Sequence, residues 1–554
     1  METPAQLSTL SVPRGGWREL LVVLLAFCAT TAALMRQVAF HLGSVARIDN
    51  GDGQFSIWNV AWVARTLVVD PLHVFDANIF YPHRWTLAYS EANLGEGMLA
   101  VPVYWLTRNA YAAHNAVLLL SFVLSGTAAY YLVRYLTGDR RAAAVAGIGF
   151  AYCPFVFGHT PHIQLEWTAG LPLALLAFHR LADRPTIGRG LVLGAAVGAQ
   201  TLFCAYYGIF AVLIVGYAVL VLAATRRLWT SPRYWTALLA AAVATTIVAA
   251  PLYLPYALLR RQTGFSRTLE DAGSFSAIWR MYFASSSYAH TWMLKLVGHR
   301  GELLFPGFVT SIFGLLGAGV GWFDSRSRFR ETVILYATLA VLAYWASLGP
   351  SAGLYSALYA VIPPFTWLRA PGRLGLIVTL ALVTLAGIGI SAALQRFSRP
   401  ILLTGALATS ALGELAVPIR FPSVPPVDPA YQVLATLPWG PVIEMPVYSE
   451  RFAFVRARYM LSSTVHWMPL VDAYSDYIPK DFIAKADVLG DFPTRGAFKL
   501  LEPDKVRYAV FHMDTYSADT RRDLSSRLQQ FSPYLRQWYA DERTSLYEIV
   551  AFPP

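Results

Sequence analysis

The stretch SVARIDNGDGQF, residues 44–55, follows the first long apolar run of the chain and carries two carboxylates, Asp49 and Asp52. Charge so close to a bilayer boundary is costly to hold, so these acids either stop one helix and start another or perform chemistry. After Asp52, the run GQFSIWNVAWVARTLVV places Phe55, Trp58, Trp62, Thr66 and Val69 at helical spacing. That stripe predicts a helix lying flat in the membrane interface, where indole rings are well accommodated, and it makes Asp52 a candidate N-cap. Asp49 stands three residues earlier, beyond the reach of a cap. It reads either as a solvated partner of Arg47 or as a general base whose pKa is raised by partial burial.

Outward from this stretch the chain is strongly apolar. Of its 554 residues, 56% are hydrophobic and 14% charged, against roughly a quarter charged in soluble domains. Runs of bilayer-spanning length (about 17–25 residues) predict eleven spans near 18–38, 114–136, 141–158, 165–183, 188–206, 208–225, 233–257, 303–323, 331–348, 374–394 and 399–417. The expected fold is mostly α: a polytopic membrane protein with about eleven transmembrane helices over residues 1–417, including a long first outer loop at 39–113, and a small C-terminal α/β domain over 418–554. PVIEMPV, VRYAVFHM and SLYEIVAF are strand-like and DTRRDLSSRLQQF is helix-like. The proline-rich PIRFPSVPPVDP links them to the last span.

The net charge of +11 resides largely in arginines of every second short loop: Arg140 and Arg141; Arg184 and Arg189; Arg226, Arg227 and Arg233; Arg326, Arg328 and Arg330; Arg396 and Arg399. Alternation of this kind is an orientation signal and argues against nucleic acid as a partner. It puts the N-terminus in the cytoplasm and the C-terminal domain outside, provided GMLAVPVYWL, 97–106, is too short to span. Cys28, Cys153 and Cys204 each lie inside an apolar run, as packing residues do, rather than in a disulfide framework.

Polar groups collect near the outer face. Glu91, in TLAYSEANLGEG, sits at a turn into a short helix, where it completes a metal site, orients an acceptor or serves as a structural hydrogen-bond acceptor. A metal held by Asp49, Asp52 and Glu91 has oxygen ligands only, which favour Mg2+ or Mn2+ over zinc. GHTPHIQLEW, 158–167, brings His159, His162 and Gln164 close to lipid, as substrate or phosphate contacts or as interfacial hydrogen-bonding groups. In PPFTWLRAPGRLG, 363–375, Arg369 and Arg373 straddle a Pro-Gly turn on the side where the positive-inside rule discourages arginine. Their forked donors match phosphate oxygens; lipid headgroups and the outer-loop acids are the alternative partners. Arg260, Arg261 and Arg267 are lesser candidates. In the tail, YMLSSTVHWMPLVDAYSDYIP interleaves His466, Trp467, Asp472 and Tyr474, which suits either a sugar or the seam between tail and membrane domain.

A first span, then a long outer loop opening RIDNGDGQFSIW, then about ten more spans and an outer C-terminal domain, resembles the GT-C integral-membrane glycosyltransferases. FTWLRAPGRLG, PVIEMPV, YMLSSTVHWMPLVDAYSDYIP and VRYAVFH resemble the bacterial YfhO-like branch. The resemblance implies a hexosyl- or pentosyltransferase of the bacterial inner membrane, working in cell-envelope glycan or glycoconjugate synthesis. It implies a polyprenyl-phosphate sugar as donor, a hydroxyl on a glycan, lipid or protein as acceptor, the extracytoplasmic face as the place of reaction, and inversion at the sugar carbon. It carries the family's early aspartate onto Asp49, with Asp52 beside it, and sets Arg369 and Arg373, with His159 or His162, at the departing phosphate. The rival reading is a transporter or flippase of a lipid-linked saccharide. That reading asks for polar groups at the bilayer midplane, whereas these gather at one face.

Overall fold

The structure is a computed structural model that describes residues 16–298, 301–324 and 327–554. Of the basic loop residues, Arg326 lies outside the described residues. Six segments among the described residues are long and apolar enough to cross a membrane: α1 (Trp17–Leu34), a central pair at Ala110–Thr137 and Arg140–Gly158, then Ala205–Thr225, Pro232–Thr263 and Pro371–Arg396. Each remaining apolar run also contains a helix, but shorter ones occur, such as Gly170–Asp183 with 14 residues. Six of the eleven expected spans thus meet both length and apolarity among the described residues, and a further helix, Ser327–Ser347, has the length, with 21 residues.

Between the first two spans the chain forms α2 (Gly51–Val69) and α3 (Leu94–Thr107). The 14 residues of α3 reach only about 21 Å at 1.5 Å per residue, short of the roughly 30 Å hydrocarbon core. α4 (Ala110–Thr137) and α5 (Arg140–Ala151) then cross beside α1. Next come α6 (Ala205–Thr225), α7 (Pro232–Thr263) and α8 (Gly375–Arg396).

Glycines let these helices approach closely, the usual means of association where lipid tails are as apolar as side chains. A Cβ on Gly317 would stand 1.9 Å from the Leu385 carbonyl of α8, and one on Gly194 would stand 2.3 Å from the Ala241 carbonyl of α7. The three cysteines are free, with Cys153 and Cys204 buried.

The C-terminal sheet has β1 (Val442–Met445), β2 (Tyr508–His512), β3 (Leu535–Ala540) and β4 (Thr544–Ile549) in the order β1-β2-β4-β3. β1 and β2 run parallel; β4 is antiparallel to β2 and to β3. This domain sits directly on the first outer loop. Leu470 donates its amide to the Asn78 carbonyl at 3.0 Å, and Tyr81 donates to the Leu470 carbonyl at 2.8 Å. Asn78 also accepts from Trp58 Nε1 at 3.1 Å and donates to the Met468 carbonyl at 3.1 Å.

That seam corrects the expectation for α2. Its tryptophan stripe does not lie in the membrane interface: Trp58 is 0% and Trp62 7% exposed, with Trp62 stacked against Trp58 and packed on Trp467 of the C-terminal domain. Protein, rather than the headgroup region, provides the amphipathic setting the indoles require.

Candidate functional site

The first outer loop turns sharply before it enters α2. Asn50 is the N-cap, extended in backbone, and its Oδ1 accepts from the Gly53 amide at 2.8 Å. Gly51 and Gly53 are required by close approach: a Cβ on Gly53 would meet the Arg47 carbonyl at 1.8 Å, and one on Gly51 the Phe454 carbonyl at 2.6 Å. Asp52 is therefore not the cap but a first-turn residue, which turns its carboxylate out of the capping position and into a pocket.

The pocket, of about 80 Å3, lies between the membrane helices and the C-terminal domain and is lined by Asp52, Glu91, His162, Gln164, Tyr206, Arg267, Arg369, Arg373, Tyr474 and Asp476, among others. Asp52 Oδ1 accepts from the Tyr474 hydroxyl at 2.8 Å, and Oδ2 faces His162 Nε2 at 3.4 Å. Burial alone would raise the Asp52 pKa, but His162, Tyr474 and Arg369 together hold it below the usual carboxylate range.

Glu91 is half-buried at the pocket wall. Its Oε1 accepts from the Ala205 amide at the start of α6 at 2.7 Å, and its carbonyl accepts from Asn59 Nδ2 at 2.9 Å. Desolvation pushes its carboxyl up to about 7, against the pull of the Ala205 amide and of Arg373.

Three arginines also line the pocket. Arg369 Nη2 and Arg267 Nη2 both reach Asp476, at 3.1 Å and 3.5 Å. The Arg369 amide donates to the Tyr206 hydroxyl, and its guanidinium stands 5.3 Å from the Phe275 ring centre. Arg373 lies 4.6 Å from the Tyr206 ring centre, and its buried Nε has no hydrogen-bond partner. Two guanidiniums thus share one carboxylate, while the buried Nε of a third is without a hydrogen-bond partner. Such a set suits an anion, since forked guanidinium donors match phosphate oxygens.

Asp49 is not on the pocket wall. Its oxygens accept from Arg47 Nε at 2.9 Å and Nη2 at 3.2 Å, with the carboxyl 43% exposed. Its partial burial is outweighed by the Arg47 hydrogen bonds and charge, so its pKa is lowered, as that of Asp52 is. Arg47 Nη1 donates in addition to Thr160 Oγ1 at 2.5 Å, which ties this loop to the histidine segment.

His159 lies behind the wall, with Nδ1 at 2.7 Å from the Phe155 carbonyl and Nε2 at 3.2 Å from Glu302. His466 is remote from the pocket: its Nδ1 accepts from the Met468 amide at 3.0 Å, its ring stacks on Tyr431, and burial pushes it down to about 3. That makes it a neutral histidine within the C-terminal domain, away from the residues that line the pocket.

The fit to a divalent ion fails on the same evidence. Asp49 is committed to Arg47, Asp52 to His162 and Tyr474, and Glu91 to the Ala205 amide. Among the described residues no group of three or more His, Cys, Asp and Glu side chains is placed to hold a metal.

Sequence reasoning passed over Tyr206, Glu302 and Asp476, and ranked Arg267 low. Asp476 follows Tyr474 within a stretch already notable for mixed polarity, which was a usable signal; Tyr206 and Glu302 carried none, since only the fold brings them beside Arg369 and His159.

No protein-family model matches the chain, and no curated protein matches it. Solved structures share its fold. Arabinofuranosyltransferase AftD from Mycobacteria, in a mutant form, aligns over 96% of this chain and 41% of its own at 16% identity, with a TM-score of 0.60. The structure of AftD without that mutation aligns over 96% and 40% at 14% identity, with a TM-score of 0.59. The oligosaccharyltransferase of Archaeoglobus fulgidus in its apo form aligns over 97% and 75% at 12% identity, with a TM-score of 0.51. This chain spans about two fifths of the length of AftD. The chain thus shares its fold with AftD and with the Archaeoglobus fulgidus oligosaccharyltransferase.

Proposed function

We propose that the chain is a membrane glycosyltransferase that moves a sugar from a polyprenyl-phosphate donor to an acceptor hydroxyl. One observation carries this reading: a carboxylate, Asp52, and three arginines, Arg267, Arg369 and Arg373, face a single pocket at one end of the membrane helices, beneath the C-terminal domain. Glycosyl transfer needs both kinds of group at one site. The acceptor oxygen attacks C1 of the sugar as its proton passes to Asp52. The C1–oxygen bond to the phosphate breaks, and the electron pair leaves with the phosphate. The transition state is oxocarbenium-like. The arginines face the side where negative charge develops, and fixed donors there stabilise the transition state most. A single displacement of this kind inverts C1.

Asp52 takes the role of base in place of Asp49 because it alone of the two lines the pocket. His162 holds the Asp52 carboxylate in position, and Glu91, with Gln164, lies where an acceptor hydroxyl would be oriented. Asp49 serves to position Arg47. The arginine-bearing loops at the far end of the bundle support a reading in which that end is cytoplasmic and the pocket faces the extracytoplasmic side of a bacterial inner membrane. The tail motifs favour the YfhO-like branch, and the acceptor is a glycan, lipid or protein of the cell envelope.

The test is a transfer assay in membranes with a panel of labelled polyprenyl-phosphate hexoses and pentoses, with and without a chelator. Asp52→Asn is expected to lower transfer by about 10²–10⁴-fold, the usual contribution of a general base. Full transfer by a correctly folded Asp52→Asn protein would remove this residue as the base.

A further inference from the structure

The far end of the bundle, one helix length from the pocket, holds a groove of about 510 Å3 between α1 and the helices α4 and α5. Its walls are apolar, formed by Val23, Ala26, Phe27 and Ile148. Its mouth is charged, with Arg18, Glu19 and Arg140. Glu19 has no spare capacity: Oε1 accepts from the Tyr130 hydroxyl at 2.7 Å and Arg134 Nε at 3.2 Å, and Oε2 accepts from Arg140 Nη2 at 2.7 Å. Among the described residues Arg18 has no carboxylate partner; its guanidinium stands 5.6 Å from the ring centre of its neighbour Trp17. One carboxylate therefore faces three guanidiniums, and the mouth of the groove is left with surplus positive charge. Arg140 is 60% exposed and can reach a ligand.

The groove also answers a packing deficit. Only 17% of the α1 span is buried, against 83% of Pro371–Arg396. In a bilayer, hydrocarbon fills such a gap at little gain, because lipid tails are as apolar as the wall. Selectivity must then come from the headgroup, and guanidiniums select phosphate without a compensating cation. We propose that the groove is a binding site for an anionic glycerophospholipid, with an acyl chain laid along Phe27 and Ile148 and the phosphate held by Arg18 and Arg140. A lipid seated there completes the packing of α1, the helix that leads into the loop bearing Asp52.

The experiment uses the full chain in nanodiscs of phosphatidylcholine doped with phosphatidylglycerol, followed by native mass spectrometry of the released protein. The wild type is expected to retain one phosphatidylglycerol in preference to phosphatidylcholine. The double variant Arg18→Ala/Arg140→Ala is expected to lose that preference by roughly twenty-fold, since each arginine near an anionic headgroup counts for about five-fold. Ala26→Phe fills the groove and leaves every charge in place; it is expected to abolish retention, and it decides the matter if the double variant does not fold. Equal retention of both lipids by the wild type would overturn the proposal. So would undiminished phosphatidylglycerol retention by Ala26→Phe, which would show attraction to the basic end of the bundle at large and no groove.

Discussion

Arg226 and the arginines of the pocket are used in opposite ways. At the end that bears the basic loops, Arg226 is satisfied by acids: it forks onto Glu331, with its closest contact at 2.6 Å, and reaches Asp183 at 2.8 Å. At the pocket end, Arg373 is buried over a tyrosine ring with an unpartnered Nε, and Arg369 and Arg267 divide a single aspartate between them. Paired charge stabilises structure or orientation; charge held without a full set of partners stores binding capacity for a ligand. The difference teaches that arginine count along a membrane protein says little until the partners are known.

Removing an arginine from each end should separate the two uses. Arg373→Ala is expected to reduce sugar transfer by about 10²–10³-fold, the loss seen when one donor to developing negative charge is removed, with only a small change in melting temperature. Steady-state transfer and thermal unfolding in detergent measure both sides of that claim. Arg226→Ala should do the converse. It removes the guanidinium from two partly buried carboxylates, leaving Glu331 with the Thr225 hydroxyl and Asp183 with the Tyr135 hydroxyl. This costs about 1–3 kcal/mol after allowance for solvent screening and leaves transfer per folded molecule unchanged.

The carboxylates of the first outer loop sharpen the comparison through pH. Burial raises Glu91 to about 7 in the folded chain, whereas the unfolded chain releases that proton near pH 4.3. Between these values the folded state binds more protons than the unfolded one, so stability falls as pH rises from about 4 to 7, by on the order of 3 kcal/mol from this group. Glu91→Gln should flatten that slope, as read from denaturant midpoints across the window. Asp52 has the opposite sign, because its folded pKa is depressed: its contribution is present above the unfolded value near 3.9 and is lost only as pH falls through the lower folded value. The smallest effect is expected from Asp49→Asn. Releasing Arg47 loosens the loop but removes no group from the pocket, so transfer should fall by less than about ten-fold.

Much of the fold was legible in the sequence because its signals are local. Apolar runs of bilayer length, and short β-branched runs such as PVIEM and YAVFH, mark helices and strands wherever they stand. The pocket was legible only in outline. RIDNGDG and LRAPGR announced acids and arginines near one face, and Arg369, Arg373, Glu91, His162 and Gln164 indeed share a cavity. Which aspartate faces that cavity could not be read from spacing. The answer depends on two glycines that must pass within contact distance of backbone carbonyls, and on Tyr474, which is 422 positions away from Asp52 in the chain. His466 looked functional because it sits among aromatics, yet in three dimensions those aromatics are the core of a domain.

The sequence by itself determined that this chain lives in a membrane, which runs become helices, and that acids and arginines gather toward one side, because hydropathy and charge act over a few residues. The tertiary structure alone decided the division of labour among those acids and arginines. A carboxylate's pKa and a guanidinium's free donors are set by whatever packs within a few ångströms of them, and here those neighbours come from distant parts of the chain.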